Sequence, residues 1–446
     1  MRQIRYWTQL LRVFFWKFKG ILGLSALAGI LLLFFLTKTQ ELFPQLGRSE
    51  AIGIVGRFST EDLPLSIQYE ISRGLTRVDE RGNVLPGLAQ SWYSEEEGRV
   101  WIFKLGESFW QDGKRVVAPD ISYKFSDVAY QVEGEGSIKF TLKDPFSPFP
   151  AVVSRPVFKR GFLGAGEWKA GKLSLTGGRF IQQIELVSTK SGKMKVYRFY
   201  PTEEAARLAF KLGEVNRLNE IIDPRDLRDW KNSKAEALSH KDRYVGVFIN
   251  TQDPFLSDKS LRQALAYAID KDNFSEERAI SPISPFSWAF NPQVKQYPYN
   301  PAKARELIKT LPEDQRTNLA INLVTTPSLL SMADKIKTDW ETVGVKTHLQ
   351  VVNTPPEDFQ TLLAIQAIPP DPDQYGFWHS TQAQTNITRF RNTKESQRID
   401  KLLEDGRRTL DKEERKKIYV DFQRFLLEES PVIFLFHPVS YTITRL

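Results

Sequence analysis

Leu319–Thr326 reads LAINLVTT, residues 327–344 read PSLLSMADKIKTDWETVG, and Val345–Val352 reads VKTHLQVV. The three runs read as strand, helix, strand. Thr326 is placed to cap the helix, Pro327 to occupy its first turn, and Gly344 to lie just past its end. That order predicts a parallel βαβ crossover, since parallel neighbours need a long connection.

Working outward, residues 257–271, SDKSLRQALAYAIDK, set Leu261, Ala264, Leu265, Ala268 and Ile269 on one helical face, with Ser257 as the cap. Near the C-terminus, Asp411 with Glu414 forms a capping-box-like start, and Ile418, Phe422, Phe425 and Leu426 supply the apolar stripe. The run VIFLFHPV after Pro431 predicts a strand that returns the chain. In the first half, GNVLPGLAQSW (82–92) and WIFKLGESFWQDGKRV (101–116) set turn residues around short apolar runs, as strands and hairpins do. The fold class is mixed α/β. At 446 residues the chain exceeds one hydrophobic core, so two lobes are expected.

Composition narrows the function. The net charge is +8, but the basic residues are spread along the chain and five of them, Arg2, Arg5, Arg12, Lys17 and Lys19, precede residue 20, so no nucleic-acid partner is expected. A cysteine count of 0 excludes disulfides, thiol nucleophiles, cysteine zinc sites and a lipidated cysteine tether. The histidines, His240, His348, His379 and His437, show no metal-ligand spacing. Neither a nucleophile elbow nor a glycine-rich phosphate loop occurs. No catalytic residue, metal or cofactor is expected, and the chain does not read as an enzyme.

Gly20–Leu36 reads GILGLSALAGILLLFFL, an uncharged run spanning roughly 25 Å as a helix. The basic flank before it places the N-terminus in the cytoplasm. No small-residue cleavage site follows, so the reading is an uncleaved anchor through the lipid bilayer with the rest of the chain outside the cytoplasm. Trp7, Phe14, Phe15, Trp16 and Phe18 suit an interfacial aromatic belt.

Several segments then carry a resemblance. GLTRVDERGNVLPGLAQSW begins at Gly74; Phe109, Asp112, Gly113, Ala118 and Asp120 follow at family spacing; Asn250, Pro254, Arg262, Ala264 and the Ala268-Ile269-Asp270 run come next. YNPAKARELI, the βαβ unit, PDPDQYGFWHS and SPVIFLFHP complete the series in order. This pattern resembles extracellular solute-binding protein family 5, the oligopeptide, dipeptide and nickel-binding group of ABC importers. The resemblance implies a type II, two-lobed periplasmic-binding-protein-like clamp that closes on a peptide or similar solute and presents it to an importer permease. The boundaries it implies are a cytoplasmic segment 1–19, an anchor 20–37, a first lobe 47–245 plus 432–446, and a second lobe 246–431. A receptor or assembly factor that kept the fold without transport is the alternative.

Within that resemblance Gly82, Gly87 and Gly113 read as turn residues, Asp112 and Asp120 as capping or turn residues, and Arg262 as a scaffold ion-pair residue. Peptide-binding members carry an amine-anchoring aspartate four residues before the proline of the D-P-D segment; Ile368 stands there. The loop-rich stretch from Ile365 to Arg391 is the expected ligand site. Asp371 or Asp373 would meet a cationic group, Tyr375 and Trp378 would form walls, and Arg389 or Arg391 would pair with a carboxylate. Trp110 has a weaker claim.

Overall fold

The computed structural model describes residues 16–20, 29 and 50–446. The expected anchor lies outside the described residues, apart from Gly20 and Gly29. Among the described residues no helix is long and apolar enough to cross a membrane.

One sheet has five strands, in the order Lys346–Val351, Ala320–Thr325, Thr361–Ala367, Arg243–Ile249, Val432–Phe436. Ala320–Thr325 and Lys346–Val351 pair in parallel, joined by the helix Leu330–Thr342, so the crossover is present. Arg243–Ile249 and Val432–Phe436 are buried on both faces, which explains their near-continuous apolar runs. Val245, Val247 and Ile249 face one core with Leu261, Leu265, Ile336 and Trp340. Tyr244 and Phe248, the alternate residues, face another with Leu403, Tyr419 and Phe422. Trp340 is fully buried and donates from Nε1 to the Leu265 carbonyl at 3.1 Å. Truncating such a side chain to alanine costs about 3–5 kcal/mol.

Two expected caps differ. Thr326 makes no capping bond: Pro327–Leu329 form a 3₁₀ turn, the Leu329 N–H is taken by the Thr326 carbonyl, and the Thr326 hydroxyl meets Ser328 Oγ at 3.0 Å. Helix Lys259–Ala268 is capped by Asp258, which accepts from the Leu261 N–H at 3.1 Å, while Ser257 donates back to the Pro254 carbonyl. Asp411 does cap Lys412–Glu429, accepting from the Glu414 N–H at 2.9 Å. Gly344 has φ +93°, the left-handed conformation that ends the crossover helix.

The second large sheet has seven strands, in the order Ser233–Ser239, Val439–Arg445, Arg217–Ile221, Glu50–Val55, Met194–Tyr200, Phe180–Ser188, Trp168–Thr176. Helix Leu65–Ile71 lies in the core on one face and helix Glu203–Leu212 in the core on the other. A four-stranded antiparallel sheet, Ala89–Glu95, Val100–Leu105, Ser137–Thr141 and Ala129–Glu133, has its own aromatic core of Phe103, Phe140, Phe149 and Trp110.

The chain passes between the two large sheets twice, at residues 240–242 and at 437–438. The expected division at 245/246 and 431/432 instead falls inside the five-stranded sheet, where Arg243–Ile249 and Val432–Phe436 pair with each other. The reason is local. All five residues of Val432–Phe436 are buried, and Pro438 lacks the N–H that a continuing ladder needs, so the apolar run splits there. Only Val439–Arg445 returns to the first sheet.

Candidate ligand cleft at the lobe junction

The two passages lie side by side. The His240 N–H donates to the Pro438 carbonyl at 2.9 Å, and His437 Nδ1 meets the Arg243 carbonyl at 2.8 Å. His240 Nε2 meets Ser440 Oγ at 2.6 Å. Burial holds both imidazoles below their ordinary pKa and favours their neutral form. The Ile368 N–H donates to the Asp242 carbonyl at 2.7 Å, which ties the head of the expected ligand loop to the first passage.

The lobes also touch away from these passages. The turn Asp79–Asn83 is held by the Asp79 carboxylate, which accepts from the Asn83 side-chain amide at 3.0 Å and from the Asn83 and Arg81 N–H groups at 2.8 and 2.9 Å and so stays below the usual carboxylate range. Gly82 takes φ +76° in this turn. On the other lobe the Trp288 N–H donates to the Arg81 carbonyl at 3.0 Å, its Nε1 donates to the Gly82 carbonyl at 3.2 Å, and Lys412 Nζ donates to Asn83 Oδ1 at 2.6 Å. A second contact joins Ser147, through N–H and hydroxyl, to the carbonyls of Arg407 and Gly406 at 2.7 and 3.2 Å.

Between the first passage and the Asp79–Asn83 turn lies a cavity of 520 Å³. Tyr69, Val78 and Leu238 line it from the first lobe, and Phe286, Ile368 and Pro370 from the second. Tyr69 is 47% exposed and Leu238 and Phe286 are each 53% exposed, although all three are large and apolar. Ile368 is 7% exposed.

The predicted site residues do not converge on this cavity. Asp371 is buried against Arg415, whose guanidinium approaches it at 2.8 and 3.2 Å and is held further in its charged form by that carboxylate. Asp373 pairs with Arg407 at 2.9 Å. Tyr375 lies between the Arg407 guanidinium, 3.9 Å from its ring centre, and the His379 ring, stacked at 4.0 Å. It borders a separate cavity of 430 Å³ between the four-stranded sheet unit and helix Lys394–Arg408. Trp378 is 3% exposed and donates to Gln374 Oε1 at 3.2 Å. Arg389 pairs with Asp358 at 2.9 Å, and Arg391 lines a third cavity beside Lys259 and Arg262.

Several structural readings agree with the contacts. Arg262 is buried and donates to the Glu429 carbonyl at 2.8 and 3.0 Å. Asp112 accepts from the Lys114 N–H within its turn. Trp110, in contrast to its claim on ligand, is a core residue whose Nε1 donates at 2.9 Å to Asp120, a carboxylate that pairs with Lys159 and makes no capping bond. Tyr69, Leu238, Phe286 and Trp288 were not singled out from sequence. They come from three segments far apart in the sequence, and only tertiary structure assembles them.

Two large sheets joined by paired passages, with a cavity beside the first passage, suit a binding clamp. Residues 193–387 match the family model of bacterial extracellular solute-binding proteins, family 5 (middle). The match spans less than half of the chain, which is similar to that family over this part. It is 23% identical to the oligopeptide-binding protein AppA of Bacillus subtilis, over 89% of this chain and 88% of that protein. It is 28% identical to heme-binding protein A of Haemophilus influenzae, over 47% and 42% of the respective chains. NikZ from Campylobacter jejuni, solved in complex with Ni(L-His), superposes with a TM-score of 0.72 at 21% identity, covering 89% of this chain and 94% of that one. The fold is therefore the two-lobed α/β fold of periplasmic binding proteins. The names of these three proteins carry three different ligand chemistries, so the site must decide the ligand.

Proposed function

We propose that the chain is the solute-capturing component of an ABC importer, holding a peptide or similar small solute between two lobes outside the cytoplasm. The observation that carries this reading is the 520 Å³ cavity at the junction of both lobes, beside the first passage. Closure around a bound solute changes the surface that both lobes present, which is how a permease would distinguish loaded from empty protein. We take residues 50–239 with 439–446 as the first lobe and 243–436 as the second, because the sheets divide there. The run from Gly20 to residue 37 serves as the bilayer anchor, with residues 1–19 cytoplasmic. The role is binding without chemistry on the solute. Asp371, Asp373 and Arg389 serve the scaffold, Tyr375 and Arg391 face the neighbouring cavities, and ligand contact falls to the wall around Ile368.

The test is thermal unfolding of the full chain in zwitterionic nanodiscs with a pool of short peptides. A solute at a hundred times its dissociation constant adds roughly 2.7 kcal/mol of stability. Absence of any shift, with no solute co-purifying in native mass spectrometry, would exclude capture and favour a receptor or assembly role for the same fold.

A further inference from the structure

We propose that the cavity at the lobe junction takes a hydrophobic solute that carries a positive charge and no carboxylate, such as an apolar amine or a C-terminally blocked peptide. The inference rests on the capture reading and names its substrate class. Its first support is the wall. Tyr69, Leu238 and Phe286 leave about half of their surface open although apolar side chains of that size gain by burial, and all three border this one cavity beside Ile368. An apolar body laid against them removes that surface from water.

The second support is the sign of the charge around the wall. The carboxylates lining the cavity are Asp79, Glu80 and Asp242, and the cationic groups are Lys241 and, when protonated, His240. The Lys241 ammonium is in contact with Glu277, and burial favours the neutral His240 imidazole. Asp79 remains anionic within its turn, Asp242 faces Arg243 at 3.2 Å and is largely exposed, and Glu80 has no ion-pair partner among the described residues. No arginine lines the cavity; the nearest guanidinium groups are Arg243, paired with Asp242 at 3.2 Å, and Arg81, which acts on Asp79 from within its turn. An anionic end entering the cavity meets three lining carboxylates and no lining guanidinium, whereas an ammonium end is attracted and can stay partly hydrated at the exposed edge.

The experiment uses peptides with one apolar body and different ends. Phe-Leu-Phe amide with a free amine is a cation, N-acetyl-Phe-Leu-Phe with a free carboxylate is an anion, unblocked Phe-Leu-Phe carries both charges, and Ala-Ala-Ala amide keeps the charge without the body. Binding is measured by calorimetry on the full chain in zwitterionic nanodiscs. The cation is expected to bind roughly tenfold or more tighter than the anion. Replacing Glu80→Gln and Asp242→Asn together should shrink that ratio while leaving apolar affinity. Replacing Leu238→Ala and Phe286→Ala together should weaken cation and anion alike. Equal or tighter binding of the anion, or an Ala-Ala-Ala amide as tight as the Phe-Leu-Phe amide, overturns the inference. Tight binding of unblocked peptides without these preferences would leave capture standing and sink only the substrate class. No heat from any peptide, with no co-purifying solute, removes the capture reading and this inference with it.

Discussion

Gly82 on the first lobe faces Pro370 on the second so closely that a Cβ added to Gly82 would lie 2.6 Å from the Pro370 carbonyl oxygen. No side chain fits there while the lobes touch. Gly82→Ala should therefore separate the lobes as well as strain the turn, where φ is +76° and an L-residue costs about 1–2 kcal/mol. The chain has no cysteine, so single cysteines placed on each lobe can carry a distance-reporting dye pair. The expected outcome is a longer mean distance in Gly82→Ala and weaker binding of any solute that needs closure. An unchanged distance would show that the turn yields rather than the interface.

Asp371 and Arg415 form a buried ion pair, with a second bond from Arg415 Nε to the Gly406 carbonyl at 2.9 Å. Removing one partner leaves an uncompensated buried charge. Asp371→Ala should cost about 3–5 kcal/mol, read as a lower denaturant midpoint. Replacing both partners, Asp371→Leu with Arg415→Met, should recover most of the loss because no charge is stranded. Asp371 would return to the ligand site if the single variant lost solute affinity while its stability stayed unchanged.

That pair also shows how far the sequence could be read. The crossover around Leu330–Thr342 was legible because strand, helix and strand are local and Ala320–Thr325 is an apolar run that is largely buried. Thr326 was misread because its proline neighbour diverts the first turn. The run at Val432 was misread because the sequence shows a strand but not which sheet receives it. Asp371, Asp373 and Arg389 looked available for ligand because their partners were out of view; Arg407 and Arg415 come 34 and 44 positions later on other helices. The cavity was illegible for the same reason, since Tyr69, Leu238, Phe286 and Ile368 come from four distant segments.

The anchor reading makes its own prediction. The full chain should fractionate with membranes and resist alkaline extraction, and an added protease should digest the part after residue 50 only from the extracytoplasmic side. Replacing Leu24 and Leu31 with lysine should release the chain or block its export, because a charged residue near the middle of a spanning helix costs about 2.5–3.5 kcal/mol. Recovery of the unaltered chain in the soluble fraction would remove the anchor.

The paired passages make stability depend on pH in a fixed direction. His240 and His437 are held below the ordinary histidine value of 6.5 by burial. The unfolded chain therefore takes up protons that the folded chain refuses as pH falls below about 6.5, so the unfolded state is favoured and stability declines there. Above that value the two imidazoles contribute no slope. Lys271, pushed down to about 7 by burial, acts in a different window. Between about 7 and its ordinary 10.5 the unfolded chain holds the proton that the folded one has lost, so stability rises with pH across that range. Denaturant midpoints measured from pH 5 to 9 should therefore climb in two separate stretches. His437→Gln should make the acidic stretch shallower, leaving the share of His240, and keep the alkaline one in place. An acidic slope unchanged in that variant would show that His437 does not contribute to it.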